Sequence, residues 1–119
     1  MTAPVINIDY LLAAHKALED SRKCLAGIRD HNLLMSAIEG QRWYADPIDQ
    51  IIHIAYSICA GHVFNDGNKR TTFLILRLLE QRLGFICDLD GMATAILDLA
   101  TNSISKEAFT QQIKACIIH

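Results

Sequence analysis

A chain of 119 residues with a formal net charge of −2 has room for one modest hydrophobic core and carries no general attraction for nucleic acid or an anionic membrane. Its 51% hydrophobic content and pI of about 6.2 are those of an ordinary globular protein, so one domain over residues 1–119 is expected and no second. The start lacks signal-peptide features, and the apolar run 73–79 is broken by Arg77, far short of the ~20 residues a membrane span needs, so the expected location is the cytoplasm.

In chain order the predicted elements are helices. Asn7 caps one over residues 8–21, with Leu11, Leu12, Ala14, His15 and Leu18 on or beside its apolar face, and Asp30 caps a shorter one through residue 38. Trp43-Tyr44 follow in a polar loop, placed either to grip a protein partner or to cover the core. Asp46-Pro47 then supplies a cap and a first-turn proline to a helix over residues 48–59, where Ile48, Ile51, Ile52, Ala55, Tyr56, Ile58 and Cys59 recur at the spacing of a buried face. A helix over residues 68–83 buries Phe73, Leu74, Leu76, Leu78 and Leu79 and ends at Gly84. Phe85-Ile86-Cys87 resembles a strand, but Asp88 and Asp90-Gly91 stop it, which makes it a connector. Helices over 92–101 and, from Ser105 as cap, through 117 complete an all-α fold of about six helices with short loops.

The four cysteines, Cys24, Cys59, Cys87 and Cys116, are scattered without a Cys-x-x-Cys pair and read as core thiols. A zinc alternative, Cys59 with His62 and His53, has no fourth ligand at a recognised spacing.

The most informative stretch is His62-Val63-Phe64-Asn65-Asp66-Gly67-Asn68-Lys69-Arg70, a loop of residues 62–70 joining two core helices. An imidazole, with a reference pKa of ~6.5, can take a proton from a hydroxyl at cellular pH, so His62 is the candidate base. Asp66 is an oxygen ligand suited to magnesium, an ion that bridges phosphates with only one or two protein carboxylates. Lys69 offers a mobile point charge and Arg70 a rigid fork for neutralising phosphoryl groups. Phe64 should point inward as the loop's anchor. Gly67 permits close approach or an unusual backbone angle, and Asn68 either caps the next helix or donates to phosphate. A cationic pair at a helix N-terminus opposes the helix dipole by ~0.3–1 kcal/mol each, so something anionic should compensate.

This motif resembles the signature of the Fic/Doc family, in which a histidine, a phenylalanine, an acidic residue and an Asn-x-Arg ending line a nucleotide-phosphate loop. Gly27-Ile28-Arg29-Asp30, Leu33-Leu34 and Ser36-Ala37-Ile38 look like the family's N-terminal region, and the likeness runs over roughly residues 8–113. Arg29-Asp30 either position the loop or serve as surface arginine and cap. Val63 and Lys69 depart from the His-Pro-Phe and Gly-Asn-Gly-Arg of AMP-transferring members and resemble the death-on-curing (Doc) branch.

The resemblance implies a toxin-like protein kinase that moves the γ-phosphate of ATP, with Mg2+, to a Ser or Thr hydroxyl of a cytoplasmic protein. His62, Lys69 and Arg70 would be catalytic, Gly67, Asn68, Lys69 and Arg70 would bind the nucleotide, and Asp66 would hold the metal. By the same resemblance a candidate target is translation elongation factor Tu, and Trp43-Tyr44 lie where relatives carry a flap that aligns the target. No inhibitory helix of the family's form, Ser/Thr-x-x-x-Glu followed by Gly or Asn, is legible: Ser36 to Gly40 is one residue short and Ser103 to Glu107 is followed by Ala108, which implies a separate antitoxin. The alternatives are an AMP-transferring enzyme on the same fold and a non-catalytic helical binding module.

Overall fold

Asn7, Asp30, Asp46, Asp88 and Ser105 each turn a side-chain oxygen onto a free backbone N–H, and at each a helix begins. The computed structural model describes residues 4–118. Its helices are α1 (Ile8–Asp20), α2 (His31–Gly40), α3 (Pro47–Gly61), α4 (Asn68–Leu76), α5 (Leu78–Gln81), α6 (Leu89–Ala100) and α7 (Lys106–Cys116), with a 3-10 turn at Gln41–Trp43. The fold is all-α, as expected. No strand forms among the described residues, where Ile28 with Phe64 and Cys87 with Ile117 make isolated antiparallel bridges.

The helix α3 is the centre of the molecule because it is apolar on more than one side. Ile51, Ile52, Ile54, Ala55, Ile58 and Cys59 are all buried, and α2, α4, α6 and α7 pack around it. Against this hub α4 brings Ile75 and Leu76, α6 brings Met92, Ala95, Ile96 and Leu99, and α7 brings Phe109 and Ile113. The helix α1 lies on α4, with Leu11 and Leu18 inside. Buried Gln41 and Gln50 bind the chain ahead of α1: Gln41 accepts from Ile6 N and donates to Ile6 O, while Gln50 accepts from Val5 N.

Two boundaries differ from the sequence expectation by more than two residues. The helix expected over 68–83 is interrupted at Arg77, whose ψ of −17° is nearer 3-10 than α geometry, so the ladder tightens there and α5 restarts for a single turn. The helix expected from Met92 begins at Leu89, because Asp88 caps it by accepting from Gly91 N at 3.0 Å. Asp88 is therefore a start signal as well as a stop. The connector 85–87 remains a connector, since its pairing with the chain's end amounts to two hydrogen bonds, Asp88 N to Cys116 O and Ile118 N to Ile86 O.

Candidate active site

The site is built where α3 ends and α4 begins. His62 closes α3 in the left-handed region (φ 49°, ψ 54°), which turns the chain sharply and sends Val63 and Phe64 into the core while His62, Asn65 and Asp66 stay exposed. The last carbonyls of α3 lack helical partners, and Arg29 supplies them: Nε donates to His62 O at 2.6 Å and Nη2 to Gly61 O at 2.5 Å. The backbone around Arg29 runs alongside. Arg29 N and Asp30 N both donate to Val63 O, and Asn65 N donates to Gly27 O. Both sequence roles for Arg29-Asp30 are thus realised, the arginine holding the loop and the aspartate capping α2.

Phe64 is 1% exposed, the inward anchor expected of it, and its ring stacks on His15 with centroids 3.8 Å apart and planes 7° from parallel. Asp66 is held from three sides. Its Oδ2 accepts from Leu25 N at 2.9 Å, its Oδ1 from Gly67 N at 2.8 Å, and its backbone oxygen from His15 Nε2 at 2.8 Å. The N–H groups of Leu25 and Gly67, with smaller help from the Arg70 charge, keep this carboxyl below the usual carboxylate range. An exposed, ionised carboxylate with one further lone pair on each oxygen fits Mg2+ as a single protein ligand. Among the described residues no three acidic, histidine or cysteine side chains gather as a metal cage, so an ion here would take its other ligands from phosphate and water.

Gly67 meets both demands placed on it. Its φ is 77°, and a Cβ there would lie 2.8 Å from Cys24 Cβ. Asn68 does not cap α4: Oδ1 accepts from Phe64 N and Nδ2 donates to Phe64 O, both at 2.9 Å, leaving one amide hydrogen unspent. The N-terminus of α4 consequently has no side-chain cap, unlike those of α1, α2, α3, α6 and α7. Lys69 and Arg70 extend from that uncapped turn and form no ion pair among the described residues, although one Arg70 Nη bonds Lys23 O.

His62, Asn65, Asp66, Gly67, Asn68, Lys69 and Arg70 line one cavity of about 590 Å³, which Lys23, Cys59 and Ala100 complete. The sequence-predicted residues are therefore assembled in one place. An adjoining groove of about 580 Å³ shares Lys23, Lys69 and Arg70 and continues over Leu18, Phe73, Leu74, Ile96 and Leu97. No sequence motif marks Lys23 for the cavity or His15 for the loop. Its signal was present as His15 and Glu19 four residues apart on one face of α1, where Nδ1 lies 2.8 Å from Glu19 Oε2.

The zinc alternative fails for a geometric reason. Cys59 turns Sγ toward Ile96 O at 3.8 Å, burial pushes its thiol up, and His53 points away to Tyr44 and Lys106, so the zinc set does not form. Trp43 is 78% exposed in the turn ahead of α3, so of its two roles it does not cover the core. Segment 24–30 runs along the motif, through Leu25, Gly27, Ile28 and Arg29.

The model of the Fic/DOC family matches residues 5–79, a stretch that takes in the motif, the segment beside it and the helices that carry both. No curated protein matches the chain. No helix among the described residues is long and apolar enough to cross a membrane.

Proposed function

The chain belongs to the Fic/DOC family, whose members generally carry out nucleotide-dependent transfer of AMP or phosphate to proteins, using ATP and typically Mg2+, and from that premise we propose that it is a protein kinase. The observation that carries this is the convergence of His62, Asp66, Lys69 and Arg70 on one cavity at an uncapped helix N-terminus. Backbone N–H groups of α4 and two unpaired cations favour a polyphosphate there. His62 faces the cavity as the base that takes the target hydroxyl's proton. Lys69 and Arg70 neutralise charge on the transferring group, and Gly67 lets it approach the backbone. Magnesium held by Asp66 would neutralise charge between adjacent phosphates when bound. Asn68 contributes chiefly by fixing Phe64, and its remaining amide hydrogen can reach phosphate. Catalysis of this kind is mostly positioning and charge neutralisation.

Lys69 separates the two reactions of the family. It fills part of the space that a glycine would leave open and aims a charge at the terminal phosphate, which supports transfer of the γ-phosphate to a Ser or Thr hydroxyl over transfer of AMP. The target is a cytoplasmic protein in this reading, with translation elongation factor Tu as the candidate. The apolar groove beside the site, rimmed by Lys23, Lys69 and Arg70, suits an antitoxin segment that is apolar with acidic residues at one end. Intact-mass analysis of elongation factor Tu incubated with the protein and Mg2+-ATP tests the reaction. A gain of one phosphate, lost in Lys69→Ala, is expected, and a gain of an adenylyl group would establish AMP transfer instead.

A further inference from the structure

We propose that His15, held by Glu19, is a positioning residue of the motif loop: by donating to the Asp66 carbonyl it fixes the Asp66–Gly67 peptide, and with it the carboxylate and the start of α4. This rests on the reading of Asp66 and α4 as the magnesium and phosphate end of the site. His15 is 2% exposed, on the face of α1 turned toward the loop. A carbonyl oxygen can only accept, so Nε2 must carry a proton toward Asp66 O, 2.8 Å away and 51 residues distant in sequence. Nδ1 is fixed by Glu19 Oε2 at 2.8 Å, and the same oxygen accepts from Gly27 N at 3.3 Å. Cys24 Sγ is a further polar neighbour, 3.7 Å from Nε2.

Leverage comes from the planarity of the peptide bond. Asp66 C=O and Gly67 N–H belong to one plane. His15 pins its oxygen end, and its N–H end donates to Asp66 Oδ1. If the oxygen end is released, the plane can rotate. The carboxylate then loses its Gly67 donor, and the first turn of α4 loses its fixed origin. Glu19 ties this unit to segment 24–30, whose Leu25 N holds the other carboxylate oxygen. A histidine serving only to pack against Phe64 needs neither bond, and a phenylalanine would fill that place.

That contrast supplies the experiment. His15→Gln keeps an amide donor near the position of Nε2 but loses the aromatic stack. His15→Phe keeps the stack and has no donor. Affinity for Mg2+-ATP is measured by calorimetry, and amide hydrogen exchange is followed at Gly67. For His15→Phe we expect affinity to fall by ~10–100-fold, the usual effect of removing a ligand's outer support, and Gly67 exchange to quicken. His15→Gln should stay near wild type in both. The reverse order, with Phe near wild type and Gln impaired, would overturn the proposal, as would equal behaviour of the two. If His15→Phe does not fold, His15→Asn takes its place, because its shorter amide reaches Glu19 and not Asp66. If the wild-type protein does not bind Mg2+-ATP, the kinase reading falls, and Gly67 exchange alone decides the role of His15.

Discussion

Replacing Gly67 by alanine tests whether the motif loop is closed as tightly as its geometry indicates. The substitution adds one carbon at a residue with φ of 77°, where an L side chain costs ~1–2 kcal/mol. That carbon would also lie 2.8 Å from Cys24 Cβ and 2.9 Å from Cys24 Sγ, distances that force the segment after α1 outward. Overpacking of this kind costs ~1–3 kcal/mol, which brings the total to ~2–5 kcal/mol. For a domain with ~5–15 kcal/mol of stability this is a large share. With a urea m-value of ~1–3 kcal/mol/M, the unfolding midpoint should drop by ~0.7 M or more. The two contributions are separable, because Cys24→Gly removes both contacts and leaves the backbone strain. A double-mutant cycle followed by circular dichroism should therefore give a favourable coupling of ~1–3 kcal/mol between the two substitutions. A loss under ~0.5 kcal/mol in Gly67→Ala, or an absence of coupling to Cys24, would refute the packing of segment 24–30 onto the motif. Because Lys69 and Arg70 follow directly on that turn, nucleotide affinity should fall with stability.

Other predictions concern the chemistry and its pH dependence. His62→Ala should leave Mg2+-ATP affinity nearly intact while phosphate transfer to the target drops by ~10²–10⁴-fold in single-turnover kinetics, and an unchanged rate would remove His62 from the mechanism. Asp66→Ala should weaken nucleotide binding in the presence of Mg2+ and have little effect in its absence, as calorimetry with and without the ion will show. The N–H groups of Leu25 and Gly67 lower the Asp66 carboxyl, so its stabilising contacts are complete above the ordinary carboxylate range and are lost only as pH falls through the depressed value. Mg2+-dependent binding should accordingly persist into mildly acid solution. His53 is shifted downward by burial and then by the Lys106 charge, so the folded protein favours its neutral ring. Stability from this residue is full above the unfolded-state value of ~6.5 and declines as pH falls toward the folded one. His53→Leu should flatten urea-midpoint changes across that window.

What the sequence determined by itself is what local chemistry dictates. The periodicity of α3 and the caps at Asn7, Asp30, Asp46 and Ser105 are decided within a turn or two of chain, so each was legible. The motif was legible for a related reason: nine consecutive residues joining two core helices cannot lie far apart. Tertiary structure decided everything that depends on which distant donor meets which acceptor. His15 and Asp66 are 51 residues apart, Leu25 and Asp66 41, and Arg29 and His62 33, and nothing near either partner marks the pairing. Asn68 had several possible acceptors and donors within reach, and the left-handed turn at His62 is what delivered the Phe64 backbone to it. That segment 24–30 runs along the motif is decided in the same way. Local pattern fixes the helices because their hydrogen bonds close over four residues. The active-site loop closes over many more, and its geometry exists only once α1, α3 and α4 have packed.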